Sequence, residues 1–173
     1  QDLRLADNPA LSAALERGSP VLPVFVWAPE EEDPWSPGAA SRWWLHQSLA
    51  RLAADLEARG SRLLIRRADD TGTHGALRAL LRDSGARAVY WNRRYEPAVV
   101  ARDRTLKQAL RDSGIEAESF NAALLAEPWD VRNQSGRPFQ VFTPFWKNVR
   151  AALDPPRPTP APATIPAPPE WPS

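Results

Sequence analysis

Gly18, Gly60, Gly85 and Gly114 each stand a few residues ahead of a short apolar run, and each closes a segment of helical length. The helical segments are 9–17, 39–59, 76–83 and 99–112; the runs are 21–27, 62–66, 88–92 and 115–120. Glycine is the common residue just past a helix end because it adopts the left-handed turn at little cost. Short, nearly continuous apolar runs suit strands buried on both faces, as in parallel sheets. Strands separated by helices must pair in parallel through right-handed crossovers. The expected fold is therefore α/β, a Rossmann-like doubly wound parallel sheet.

Local signals fill in the pattern. Asp7-Asn8-Pro9 is a helix start, with a capping side chain followed by a proline suited to the first turn. The long second helix carries a leucine stripe, Leu45, Leu49, Leu52 and Leu56, spaced four, three and four. Residues 30–38 hold acids, prolines and a glycine and read as an exposed loop; residues 69–75 read as a turn. Beyond Asn121 the alternation is lost. An aromatic cluster of Phe139, Phe142, Phe145 and Trp146 surrounds Thr143-Pro144, and a short helix is expected over 144–153. Nine of the 19 prolines then fall between Pro155 and Pro172, which reads as an extended linker rather than a packed element. The expected organisation is an α/β domain over 1–150 and an interdomain linker over 151–173.

Composition mainly excludes. Lys plus Arg is 22 and Asp plus Glu is 21, so there is no electrostatic footprint for nucleic acid. Only Lys107 and Lys147 are lysines. With no cysteine and only His46 and His74, thiolate chemistry, disulfides and His-rich metal sites are out. No apolar run approaches the ~18 residues of a membrane span, and no signal peptide opens the chain. The chain reads as soluble, cytoplasmic and monomeric, without membrane contact. It contains no methionine, so it reads as a fragment or excised domain, and it carries eight tryptophans.

An open α/β sheet binds ligands outside the carboxyl ends of its strands. That places the loops after Trp27 and after Asn92, and the helix head at Gly38 to Arg42, at the ligand end. Neither G-x-G-x-x-G nor G-x-x-x-x-G-K-[ST] occurs, and no Ser-His-Asp set is available. Thr71-Gly72-Thr73-His74-Gly75 is either an anion site or an ordinary helix entry. Asn92-Arg93-Arg94-Tyr95-Glu96-Pro97 concentrates donors, an aromatic ring and a carboxylate; it either touches a ligand or is a solvated loop whose charges pair. Trp43 and Trp44 are adjacent on a helix, so both cannot face the core. Either one packs on the sheet and the other under a loop, or one borders a flat aromatic ligand.

Several segments resemble the photolyase and cryptochrome family. Asp2-Leu3-Arg4-Leu5-Ala6-Asp7-Asn8-Pro9-Ala10-Leu11 resembles its D-L-R-x-x-D-N-x-x-L opening. Trp91-Asn92 through Tyr95-Glu96-Pro97, then Arg102-Asp103, resembles its W-N-x-x-Y-E/D-P…R-D segment, and the strand into Asn121 through Glu127-Pro128 follows suit. Phe139-Gln140-Val141-Phe142-Thr143-Pro144-Phe145-Trp146-Lys147 resembles its F-x-V-(F/Y)-T/G-P-F-W-(K/R) segment. The motifs keep the family's order across roughly residues 1–150, and Gly38 to Leu45 is most like bacterial members that repair cyclobutane pyrimidine dimers.

The resemblance implies the N-terminal domain of a DNA photolyase, holding an antenna chromophore. Flavin adenine dinucleotide, electron-transfer tryptophans and damaged DNA would belong to a helical C-terminal domain. It also implies an apolar first strand, lying centrally in the sheet, ahead of the polar opening Gln1-Asp2-Leu3-Arg4. Folate-binding relatives place Asn-Glu where this chain has Ala98-Val99. Deazaflavin-binding relatives keep a carboxylate matching Glu96 and line their pocket from positions matching Phe25, Trp27 and Ser41. They use Arg where this chain has Gln1 and Asp where it has Arg94. Together with Asn92, these are the antenna-site residues, and deazaflavin or flavin mononucleotide is expected ahead of folate. A cryptochrome, a nucleotide-binding electron-transfer or stress-type domain, and a non-binding remnant are the competing readings.

Overall fold

The computed structural model describes residues 3–32, 36–155 and 157–172. Asn8 opens α1 (Pro9–Glu16): its side chain accepts from the Leu11 amide at 3.1 Å, and Pro9 sits in the first turn, where no amide donor is needed. There follow β1 (Val24–Trp27), a 3₁₀ turn (Pro29–Glu32), α2 (Ala39–Glu57), β2 (Leu64–Arg67), α3 (Gly72–Ser84), β3 (Ala88–Asn92), α4 (Pro97–Asp112), β4 (Glu116–Phe120) and α5 (Phe142–Ala152). Gly85 ends α3 in the left-handed conformation at φ 67°, its amide closing on the Leu81 carbonyl at 2.9 Å.

The strands form two parallel ladders. β1 pairs with β2, from Val24 opposite Leu64 to Trp27 opposite Arg67; β3 pairs with β4, from Ala88 opposite Glu116 to Asn92 opposite Phe120. Among the described residues no strand joins the two ladders. Parallel pairing with alternating helices is the doubly wound pattern.

Each ladder has its own core. Leu106 and Leu110 of α4 and Ala117 of β4 are buried together, with Val89 and Trp91 packed against them. Leu52 and Leu56 of α2 are buried with Ile165, and Leu11, Leu15 and Leu63 pack around them. α1 belongs to both halves: it lies on β3 and β4 while its leucines join the α2 cluster.

Several expectations change in three dimensions. The strands of the first ladder are not buried on both faces: all of β1 is half-buried, and Ile65 is 54% exposed. A two-stranded ribbon is all edge, so each side chain has only one neighbouring strand to shelter it. β1 starts at Val24 because Pro23 has no amide to pair, although its carbonyl still accepts from Leu64 at 2.9 Å. α3 starts at Gly72, inside the expected turn, and α5 starts at Phe142 because Pro144 is tolerated in a first turn.

The proline-rich segment has no helix or strand over its described residues, as expected, but it is packed. Proline lacks the amide and keeps the carbonyl, so this stretch acts as a row of acceptors. Asp7 donates to Thr159 at 2.8 Å, Val21 to Pro166 at 2.8 Å, and the Arg59 guanidinium to Pro162 at 3.0 Å. Ile165 is 1% exposed and donates to Arg59 at 2.9 Å, and Arg62 lies 4.4 Å over the Trp171 ring. The segment is a strap across α1, α2 and β2.

Ile165→Ala is therefore expected to lower stability by about 2–5 kcal/mol, as for other fully buried isoleucines. Urea denaturation measures it; an unchanged midpoint would place the strap outside the cooperative unit.

Candidate ligand site at the carboxyl ends of the strands

β1 and β3 end at Trp27 and Asn92, and the segments that follow carry the polar side chains of this end. Phe25 and Trp27, two residues apart on β1, project on one face. Their rings stack with centroids 6.4 Å apart and planes 27° apart. Arg94 and Glu96 pair at 3.1 Å, and the Arg94 guanidinium holds the Glu96 carboxyl below its usual range. Ser41 lies exposed in the first turn of α2. Gln1 lies outside the described residues.

Asn92 has a different environment. It is 3% exposed, its Oδ1 accepts from the Ala10 amide at 3.1 Å, and its Nδ2 donates to Asn8 Oδ1 at 2.9 Å. The pairs Phe25–Trp27 and Arg94–Glu96 are thus formed, while the Asn92 amide is turned onto α1.

Sequence reading missed a node at Glu31. In the acidic run 30–32 this residue looked like exposed loop, yet its carboxylate accepts from the Thr73 amide and hydroxyl, both at 2.6 Å, and from Arg102 Nη1 at 3.2 Å. It joins the turn after β1 to the heads of α3 and α4. Partial burial works against its charge, but the Thr73 hydroxyl and amide and the Arg102 guanidinium outweigh it, so the carboxyl sits below its usual range. Of the two readings of residues 71–75, the structure shows a helix entry, and the group at this helix start is the chain's own carboxylate. Gly72, at φ 66°, is required here, since a Cβ would run into Glu31.

A second node surrounds Glu127, which is 8% exposed. Tyr95 donates to its Oε2 at 2.9 Å, Arg93 Nη2 stands 2.8 Å from its Oε1 without hydrogen-bond alignment, and Arg93 lies over the Trp129 ring at 5.5 Å. Burial, then the Glu127 carboxylate, pushes the Tyr95 hydroxyl above its ordinary pKa. Glu127-Pro128 gave the one sequence hint of this pair. The loop after β3 therefore divides: Arg93 and Tyr95 face inward, while Arg94 and Glu96 pair at the surface.

The tryptophans of α2 overturn the expectation that one packs on the sheet and the other under a loop. Trp43 is 62% and Trp44 68% exposed, with centroids 6.4 Å apart. The first two turns of α2 project past the core, which begins at the half-buried Leu45. No group of three or more metal-ligating side chains occurs among the described residues, and no described helix is long and apolar enough to cross a membrane. What this end offers is flat aromatic surface, an exposed ion pair, a satisfied carboxylate at Glu31 and a second at Glu127 that is paired by charge with one oxygen left without a hydrogen bond.

Parallel ladders whose carboxyl ends present aromatic and polar side chains define an α/β domain of the small-molecule-binding kind. The DNA photolyase family model matches residues 1–164, and the chain belongs to that family. A deoxyribodipyrimidine photo-lyase of Agrobacterium fabrum is 44% identical over 172 residues, 99% of this chain and 35% of that protein. Cryptochrome-2 of Arabidopsis thaliana is 46% identical over 150 residues, 85% of this chain and 24% of that protein. The crystal structure of a bacterial class III photolyase from Agrobacterium tumefaciens aligns with a TM-score of 0.89 at 44% identity, over 99% of this chain and 34% of that one. The chain spans about a third of the length of the photolyases it matches. Light-harvesting chromophore binding, in general terms, comes with the family.

Two substitutions test the nodes. Glu31→Gln is expected to cost about 1–3 kcal/mol at pH 7, the range for a buried bond left unmade. Its folded pKa is depressed, so its contribution is full above the unfolded value of about 4.3 and is lost as pH falls through the folded value. The gap between the parent and Glu31→Gln should close towards pH 3 in acid titrations of stability; a gap independent of pH would refute the assignment. Asn92→Ala, which strands the buried Ala10 N–H and removes one of the two bonds to Asn8 Oδ1, is expected to cost a similar ~1–3 kcal/mol in chemical denaturation.

Proposed function

We propose that this chain is the antenna domain of a deoxyribodipyrimidine photolyase, and that the full-length parent repairs pyrimidine dimers in DNA with light. The observation that carries this reading is the aromatic and ionic character of the ligand end, on a chain 44% identical across 99% of its length to a protein of that activity. The chromophore would absorb light and pass the excitation to a flavin held by the rest of the parent. The chain's own side chains would orient it. Phe25 and Trp27 would offer their stacked rings to a flat ring system, Ser41 would supply a hydroxyl at the head of α2, and Arg94 with Glu96 would meet polar ring substituents. Asn92 would act from behind, by fixing α1. Trp43 or Trp44 would border the same ligand. Residues 151–173 would carry the chain on to the flavin-binding and DNA-binding part.

Within this class, deazaflavin or flavin mononucleotide is favoured over a folate anchored through an Asn-Glu pair. The corresponding positions are Ala98, which is apolar, and Val99, which is 5% exposed and belongs to the interior. A second reading has support of its own: the plant cryptochrome is as similar as the photolyase, so a blue-light receptor would use the same domain.

The test uses the full-length parent. Chromophores released by mild denaturation are identified by absorption and mass, and light-driven loss of thymine dimers is followed. Glu96→Ala is expected to lower antenna content about tenfold, as for loss of a hydrogen-bonded charge worth about 1.5 kcal/mol, and to leave flavin content unchanged. Equal antenna content in both proteins would reject the site, and a released pterin would reject the flavin-type choice. Residues 1–173 alone are expected to leave dimers intact in the light; dimer loss with that fragment would reject the division of labour.

A further inference from the structure

α5 buries Val149 and exposes much of the rest of its length. Phe142 and Trp146, one turn apart, stack with centroids 6.4 Å apart and planes 5° apart, yet they are 70% and 44% exposed, and the neighbouring Val141 is 63% exposed. The Phe145 ring lies 6.3 Å from those of Phe142 and Phe139. Two hollows flank the helix. One, of about 440 Å³, lies between Arg137, Phe139 and Pro144; the other, of about 330 Å³, lies beside Trp146, Lys147 and Arg150. Between residues 131 and 153 the charged side chains are Arg132, Arg137, Lys147 and Arg150, with no acid among them.

An apolar centre with a polar rim is the anatomy of a protein interface, and the charged residues of this segment are all basic. We propose that this face of α5 docks the remainder of the parent chain, through a surface with an apolar knob and an acidic rim. The proposal rests on the reading of residues 1–173 as one third of a longer protein. Three observations favour that occupant. The matched photolyases carry about twice as much further chain, enough to cover this face. A second copy is disfavoured, because a twofold contact would set the basic rim against itself. A nucleic acid is disfavoured, because Phe142 and Trp146 already cover one another's inner faces, leaving no slot for a base.

Hydroxyl-radical footprinting of residues 1–173 and of the full-length parent decides it. Phe142 and Trp146 are expected to react at least about fivefold more slowly in the full-length chain, since the centre of an interface excludes water. Phe142→Ser with Trp146→Ser, and separately Lys147→Glu with Arg150→Glu, are expected to raise protease cleavage between the two parts by about tenfold. The same pairs should leave the melt of residues 1–173 unchanged, as surface substitutions do. Equal footprints in both chains would overturn the proposal. So would protection in residues 1–173 that grows with its own concentration, which marks a second copy, or protection that needs added duplex DNA. A gene ending at residue 173 would remove the underlying reading instead, and the coding sequence shows that before any footprint is taken.

Discussion

The hydrogen bond between the Asn8 and Asn92 amides crosses from the first helix to the end of β3, between two ladders that share no strand among the described residues. Among the described residues no ladder bond unites the halves, and side chains connect them. Asn8 is doubly engaged, since the oxygen that receives the Asn92 amide also caps α1. With the start of α1 fixed on β3, Leu11 and Leu15 are delivered to the α2 cluster. A free α1 would leave the first ladder, its strap and the head of α2 without a fixed position relative to the loop after β3. Glu31 repeats the connection at the carboxyl end by holding α3 and α4 to the turn after β1.

The segments that carry the family resemblance work largely as scaffold. Arg4 places its guanidinium on the Asp7 carbonyl at 2.6 Å and on the Ala122 carbonyl at 3.0 Å, tying the opening motif to the chain beyond β4. That contact stabilises Asp7 at φ 50°, a left-handed conformation an aspartate tolerates. Trp91 Nε1 donates to Asp103 at 3.1 Å, and Tyr95 donates to Glu127. The tryptophan-asparagine and arginine-aspartate elements of one motif thus meet across β3 and α4. This kind of motif fixes where the loops at the ligand end begin. Phe25, Trp27, Ser41 and the tryptophans of α2 lie outside these motifs and are half-buried or exposed.

That division explains what the sequence could disclose. Helices and strands follow from periodicity and from glycine stops, which are local, so the order of elements and the α/β class were legible. The leucine stripe of α2 was legible for the same reason, and Leu52 and Leu56 are its buried members. Glu31 was not, because its neighbours Glu30 and Glu32 have the same chemistry and only the fold sets one of the three opposite α3. The start of α3 was missed with it, since a carboxylate from 42 residues away occupies the helix start. Ile165 was hidden among prolines: composition there signals an extended chain, and one apolar side chain decides whether that chain packs. The exposure of both Trp43 and Trp44 was hidden as well, because a helix can outrun the core it covers.

The Glu31 node also bears on what this end can bind. A nucleotide-binding domain of this architecture usually presents a phosphate to an open helix start after a strand, where free amides and the helix dipole favour an anion. α3 is the helix after β2, and its Thr73 amide already holds a carboxylate whose charge Arg102 balances. A phosphate placed there would have to displace Glu31 and leave a part-buried carboxylate without partners, at a cost comparable to what the phosphate contacts supply. The missing glycine-rich phosphate loop and the filled helix start are thus one fact seen at two levels. A phosphate brought to this end would therefore have to lie away from the start of α3.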